Sequence, residues 1–79
     1  MIIQNDDKYK LVNFDNIIEI FLYPLGNGSC AVKYIDINKS EYILGIYSTY
    51  EKAKEILEEL IDFYIRNENK NKVFRMSIK

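Results

Sequence analysis

The chain has 79 residues, a formal net charge of -1 and no histidine, and 48% of its residues are apolar. This length allows one domain, spanning residues 1–79, and the apolar content excludes a disordered or collagen-like chain. The single cysteine, Cys30, cannot form an internal disulfide, and its place in an apolar run predicts a small buried side chain. Without histidine, a nucleophile set or a metal-ligand pattern, we expect no enzyme, no catalytic residue, no metal and no cofactor.

Apolar and alternating runs predict strands through the first part of the chain. Residues 1–4 and 9–13 flank Asn and Asp turn residues and predict a hairpin. Residues 17–23 are apolar on both faces, which predicts a central strand covered on both sides. Residues 29–37 and 41–47 predict two further strands, and Gly45 within the second of these predicts a bulge or a close backbone approach.

Residues 48–66 predict an amphipathic helix. Ser48 and Glu51 have the spacing of a capping box, in which the hydroxyl covers a backbone amide and the glutamate reaches back. Apolar residues then recur three and four positions apart and form a stripe along about four turns. The members of this stripe are Ala53, Ile56, Leu57, Leu60, Ile61 and Tyr64. Acidic residues occupy the opposite face, as is typical of a solvated surface.

Residues 73–78 alternate between polar and apolar side chains and predict a terminal strand after a polar connector. The elements together predict an α+β domain in the order ββββαβ. We expect an antiparallel curved sheet of about five or six strands, with the amphipathic helix across one face. The alternative is a roll or partly closed barrel that the helix fills. The last strand can pair within its own sheet or with the edge of another subunit.

Five residues near the end of the helix and in the last strand have the chemistry of a small nucleotide pocket. The basic members suit phosphates, and the aromatic members suit stacked bases. These residues are Arg66, Lys72 and Arg75, with Tyr64 and Phe74. The alternative is a basic tail beside aromatic residues of the core.

Charge and hydropathy limit the partners and the location of the protein. The chain has no overall basic character, so duplex nucleic acid is not an expected partner. No apolar run approaches the ~20 residues of a membrane span, and the opening MII is too short for a signal sequence, so we expect a cytoplasmic protein and no membrane partner. Because so small a chain buries little surface, burial between subunits would add stability, and we expect a homo-oligomer.

Three segments of the chain together resemble one group of small phage and prophage proteins of Firmicutes. The start, MIIQNDDKYKLVNFDNI, resembles the opening I-x-x-Q-D-x-x-x-L-V-N-x-x-x-I. The run ILGIYST resembles LG-x-Y-x-T and continues into EKAKEILEEL, which resembles E-R-A-K-E-V-L-x-E-I. VFRM near the end resembles V-F-x-M-P, although Ser77 stands where the group often has proline.

The resemblance implies a phage or prophage accessory protein that acts in the cytoplasm of the host bacterium. Small proteins of this kind often counter bacterial immunity, and the group carries no catalytic motif. We therefore expect an anti-defence binding protein that sequesters a nucleotide-derived immune signal. One alternative is an anti-CRISPR-like inhibitor that binds a host defence effector through the acidic helix face or an exposed strand edge. Another is a structural or regulatory phage subunit.

Overall fold

The computed structural model describes residues 2–4, 10–66 and 73–76 of the chain. Within these ranges the chain forms six strands and one α-helix, which confirms the α+β class. The strands are β1 (Ile2–Gln4), β2 (Leu11–Asn13), β3 (Ile17–Pro24), β4 (Cys30–Asp36), β5 (Glu41–Tyr47) and β6 (Val73–Arg75). Helix α1 (Tyr50–Arg66) lies between β5 and β6. Five strands precede it, as the five predicted runs indicated, which is one more than the predicted order ββββαβ has.

The described strands form two three-stranded sheets, and not the single curved sheet or roll that we expected. In one sheet β1 lies between β2 and β6, antiparallel to β2 as the predicted hairpin requires and parallel to β6. In the other, β3, β4 and β5 form an antiparallel meander with β4 at its centre. A 3-10 turn at Phe14–Asn16 separates β2 from β3 and interrupts the extended backbone that a continuous sheet would need.

Strand β3 lies at the edge of the meander, so the prediction that it is a central strand is wrong. Its register with β4 shifts between Ile17 and Glu19, which makes Ile18 an extra residue in a bulge. The bulge lets Ile17 pack against the core and leaves Ile18 59% exposed. Alternation along the chain does not reveal the bulge, because both Ile17 and Ile18 are apolar.

A second bulge lies at Gly45, as the sequence predicted. The register between β4 and β5 shifts after the pair Val32 and Gly45, and Leu44 becomes the extra residue. A Cβ atom at Gly45 would lie 2.8 Å from the Tyr47 hydroxyl oxygen. The bulge confirms one of the two predicted roles of the glycine and brings Leu44 into the core. The atoms close to Gly45 belong to the Tyr47 side chain and not to another backbone.

The core joins both sheets and the helix. Cys30 is fully buried within it, as predicted. The buried cluster comprises Ile3, Val12, Cys30, Val32, Tyr34, Leu44, Tyr47, Ala53, Ile56, Leu60 and Met76. Across the described ranges, we find no helix whose length and apolar content would let it cross a lipid bilayer.

Helix α1 begins one residue later than the predicted capping box requires. The Thr49 hydroxyl oxygen accepts a hydrogen bond from the Lys52 amide at 3.1 Å, and the Thr49 carbonyl accepts from Ala53. Thr49 is therefore the N-cap, and the pairing of Ser48 with Glu51 is wrong. Two adjacent hydroxyl residues offered two possible caps, and these hydrogen bonds show that the helix uses Thr49.

Candidate functional site

A cleft of about 310 Å³ lies between the edge strand β3 and helix α1. Its volume is near the lower end of the range for ligand pockets, about 300 Å³. All of its lining residues except Glu19 are aliphatic or aromatic. The lining comes from the 3-10 turn and β3 on one side and from α1 on the other: Phe14, Ile17, Ile18, Glu19 and Ile20, then Leu57, Leu60, Ile61 and Tyr64.

The cleft exists because α1 carries more apolar surface than the meander covers. Its buried stripe is Ala53, Ile56 and Leu60. At about 100° per residue, Leu57, Ile61 and Tyr64 lie beside this stripe on the flank next to β3. Ile61 is 51% exposed and Tyr64 is 44% exposed. Since β3 is the last strand on this side, the helix flank extends beyond the edge of the sheet.

The aromatic ring of Tyr64 closes one part of the cleft. Its centroid lies 4.8 Å from that of Phe14, with the ring planes tilted by 32°. Phe14 belongs to the 3-10 turn, so this contact joins the last turns of α1 to the start of β3. The turn that separates the two sheets therefore also builds the cleft.

The backbone of β3 forms the open side of the cleft. In the part of the chain that the structure describes, β3 pairs only with β4. An edge strand presents unpaired N–H and C=O groups along its free side. The cleft thus combines an apolar surface with a row of backbone donors and acceptors.

Glu19 is the charged residue among the described residues that line the cleft. The ion pairs found among the described residues involve other acids: Lys33 with Glu41, Lys52 with Glu55, and Arg66 with Asp62. No lysine or arginine of the described ranges lines the cleft.

The predicted nucleotide-binding aromatics lie on two flanks of α1. Tyr64 lines the cleft. Phe74 on β6 instead packs edge to face against Phe63, with centroids 5.3 Å apart. Phe63 and Tyr64 are consecutive in the helix, so their side chains leave it about 100° apart. The described contacts therefore direct Tyr64 and Phe74 to different neighbours.

The predicted basic residues are exposed where the structure describes them. The Arg66 Nε atom lies 3.2 Å from an Asp62 carboxylate oxygen on the solvent side of α1. Arg75 follows Phe74 in β6, and its side chain leaves the opposite face of the strand. Lys72 lies outside the described residues. The phosphate-binding role of these three residues stays a prediction.

The described residues form a small α+β domain with an apolar cleft beside the edge strand of its meander. Comparison of the chain with protein-family models, with curated proteins and with solved structures finds no match. Among the described residues, no group of three His, Cys, Asp or Glu side chains is arranged to hold a metal ion. The sequence pattern places Ile18 in a predicted strand and Leu57 in the helix stripe and marks neither as a site residue, although an exposed strand edge was one of the predicted contact surfaces.

Proposed function

We propose that the chain is a non-enzymatic binding protein that takes an apolar segment of another protein into the cleft between β3 and α1. The observation that carries this proposal is the apolar lining of the cleft, which leaves Ile18 and Ile61 more than half exposed beside each other. Single exposed apolar residues are ordinary, whereas a contiguous patch rimmed by polar groups is typical of an interaction site.

The chemistry of the cleft favours a protein segment over a nucleotide. A phosphate-binding site needs cationic or amide donors, and the one charged residue among the described lining residues is an acid, Glu19. A carboxylate repels phosphate, and isoleucine and leucine offer a base no hydrogen bonds. An apolar groove of this size suits one or two aliphatic or aromatic side chains of a partner. Nucleotide sequestration would therefore need Arg66 and Arg75 to act elsewhere on the surface.

The resemblance to phage and prophage proteins supports an anti-defence role. A small binding protein acts stoichiometrically, so it inactivates a host effector by occupying a surface that the effector needs. We propose that the partner is a protein of a bacterial defence system, and that the chain works in the host cytoplasm.

The proposed site is tested by selecting binders from a displayed library of random peptides on the immobilised chain. The test variant is Ile61→Gln, and the matched control is Ile65→Gln on the same helix, where the side chain is 64% exposed and lies outside the cleft lining. Burying the exposed half of an isoleucine contributes about 1 kcal/mol, so the selected peptides should bind Ile61→Gln at least about five-fold more weakly. Equal affinity for both variants would refute the site.

The anti-defence role is tested by phage plating on bacteria that each carry one defence system. Expression of the chain should restore plating on at least one such strain. Ile61→Gln should lose this effect, and Ile65→Gln should retain it at equal protein level. If the Ile61→Gln variant still restores plating, the cleft does not carry the anti-defence activity.

A further inference from the structure

We infer that Asn27 is a site of covalent modification, where the backbone nitrogen of Gly28 attacks the side-chain amide and Ser29 assists the attack. The product is an aspartyl or isoaspartyl residue at position 27. The reaction needs water and no enzyme. It takes place in the turn between β3 and β4, outside the residues that line the cleft, so it is independent of the proposed binding function.

The sequence restricts the reaction to this position. Asn27 is the one asparagine of the chain that a glycine follows. The other seven asparagines precede Asp, Phe, Ile, Lys or Glu, whose side chains hinder the backbone nitrogen that would have to attack. Glycine has no Cβ atom, so its nitrogen is the least hindered nucleophile that the backbone offers. The same chain therefore supplies seven internal controls.

The turn leaves the reacting groups accessible. Asn27 is exposed, and a Cβ atom at Gly28 would meet nothing within 4 Å, so the space beside the reacting peptide bond is open. The Gly28 N–H donates to the Leu25 carbonyl at 3.3 Å, which is longer than the 2.8 Å bond from the Leu25 N–H to the Ser29 carbonyl. Longer hydrogen bonds are weaker. Gly28 can therefore release its nitrogen for the attack while the stronger bond keeps the hairpin closed.

Ser29 holds the oxygen of the amide that is attacked. The Oδ1 atom of Asn27 accepts a hydrogen bond from the Ser29 backbone N–H at 3.1 Å and a second one from the Ser29 hydroxyl. Negative charge develops on this oxygen as the nitrogen adds to Cγ. Donors that are already in place at such an oxygen lower the barrier to the addition. The geometry of the turn therefore favours the reaction beyond what the residue pair alone provides.

The atoms of the reaction balance with water as the co-reactant. A base of the solvent takes the Gly28 N–H proton as the nitrogen forms a bond to Cγ of Asn27. The bond from Cγ to the side-chain nitrogen breaks, ammonia leaves, and a succinimide ring closes. Water then opens the ring at Cγ to give aspartate, or at the main-chain carbonyl carbon of residue 27 to give isoaspartate. No group is oxidised or reduced.

The two products differ in their effect on the hairpin. Both add a negative charge at the turn, but isoaspartate also adds a carbon atom to the main chain. This atom lies between Leu25 and Ser29, whose hydrogen bond closes the hairpin. We expect the isoaspartyl form to have a lower Tm than the parent chain, whereas Asn27→Asp keeps the acceptor for Ser29 and should have nearly the same Tm.

Ageing the purified chain at neutral pH and body temperature tests the site. Peptide mass spectrometry follows the replacement of the amide NH2 by OH at each asparagine, and methylation by an isoaspartyl methyltransferase detects isoaspartate. We expect Asn27 to convert before the other seven asparagines. The control Asn27→Gln should not convert at this position, because its longer side chain closes the ring far more slowly. Earlier conversion of another asparagine, or no conversion of Asn27, would overturn the inference.

Two variants of Ser29 test its assistance. Ser29→Ala removes the hydroxyl donor and should slow the conversion about two- to ten-fold, as the loss of one hydrogen bond predicts. Ser29→Thr keeps a hydroxyl and should convert at the rate of the parent chain. In concentrated urea the turn is lost, so the parent and Ser29→Ala should convert at equal rates. A folded Ser29→Ala variant that converts as fast as the parent or faster, or a difference that persists in urea, would refute the role of Ser29 and overturn the inference.

Discussion

The Gly45→Ala substitution tests how tightly the second bulge is packed. The new Cβ atom would lie 2.8 Å from the Tyr47 hydroxyl oxygen and 3.0 Å from Cε2 of the same ring. Ordinary contact begins near 3.5 Å, so the ring would have to move by about 0.7 Å. Tyr47 is fully buried, and its neighbours in the core leave it no open space to enter.

The expected loss of stability follows from two opposing effects. Overpacking a well-filled core costs about 1–3 kcal/mol. Replacing glycine with alanine also restricts the unfolded chain, which returns about 0.4–1 kcal/mol where the backbone tolerates alanine. Gly45 has no positive φ, so this gain applies. We expect a net loss of about 1–2 kcal/mol, which lowers Tm by roughly 5–15 °C in a domain of this size.

Chemical and thermal denaturation measure the loss, with Gly26→Ala as the matched control. A Cβ atom at Gly26 meets nothing within 4 Å and Gly26 has no positive φ, so this variant should match the parent or exceed its stability by up to about 1 kcal/mol. Tyr47→Phe removes the closest contacting atom. The double variant Gly45→Ala with Tyr47→Phe should therefore lose less stability than the sum of the losses of the two single variants. Strict additivity, or a Gly45→Ala variant as stable as the parent, would refute the reasoning.

Three further predictions follow, two of them with matched substitutions. Thr49→Ala should lower the free energy of unfolding by about 1 kcal/mol because it removes the N-cap, and Ser48→Ala should lower it by only a few tenths, as measured by urea denaturation. A larger loss from Ser48→Ala than from Thr49→Ala would support the capping box of Ser48 and Glu51. Leu60→Ala should cost about 2–5 kcal/mol because Leu60 is buried, whereas Ile61→Ala should cost less than about 1 kcal/mol, and similar losses would contradict the assigned helix faces. If a cyclic nucleotide raises Tm in a ligand panel, Arg75→Ala should abolish that shift without changing Tm of the free protein; an unchanged shift would exclude Arg75 from binding.

The helix was predictable because its evidence is local. Apolar residues at three- and four-residue spacing and a terminal hydroxyl indicate one helix regardless of what it packs against. The buried stripe of Ala53, Ile56 and Leu60 follows from that spacing. The exposure of Ile61 and Tyr64 does not, because it depends on where the sheet ends. The sequence shows the width of the apolar arc but not how much of it is covered.

The sheet order was not predictable because strand neighbours are set by long-range pairing. An apolar strand between two turns can lie at the centre of a sheet or at its edge, and β3 lies at the edge of the described meander. The residue pattern does not reveal the bulge at Ile18 either, because Ile17 and Ile18 are the same residue type. The cleft depends on the edge position of β3 and on this bulge. The sequence therefore indicated an exposed strand edge as a possible contact surface, but it did not indicate which residues form it.

Features at both ends of β3 limit its pairing with further strands. An exposed apolar edge strand promotes aggregation, and proteins commonly protect such edges with bulges, prolines and charges. Here the bulge at Ile18 ends the regular register on one side, and Pro24 ends the strand on the other. Glu19 adds a negative charge within the remaining stretch. The regular part of this edge is therefore short and charged, and both properties lower its tendency to pair with another copy of the chain.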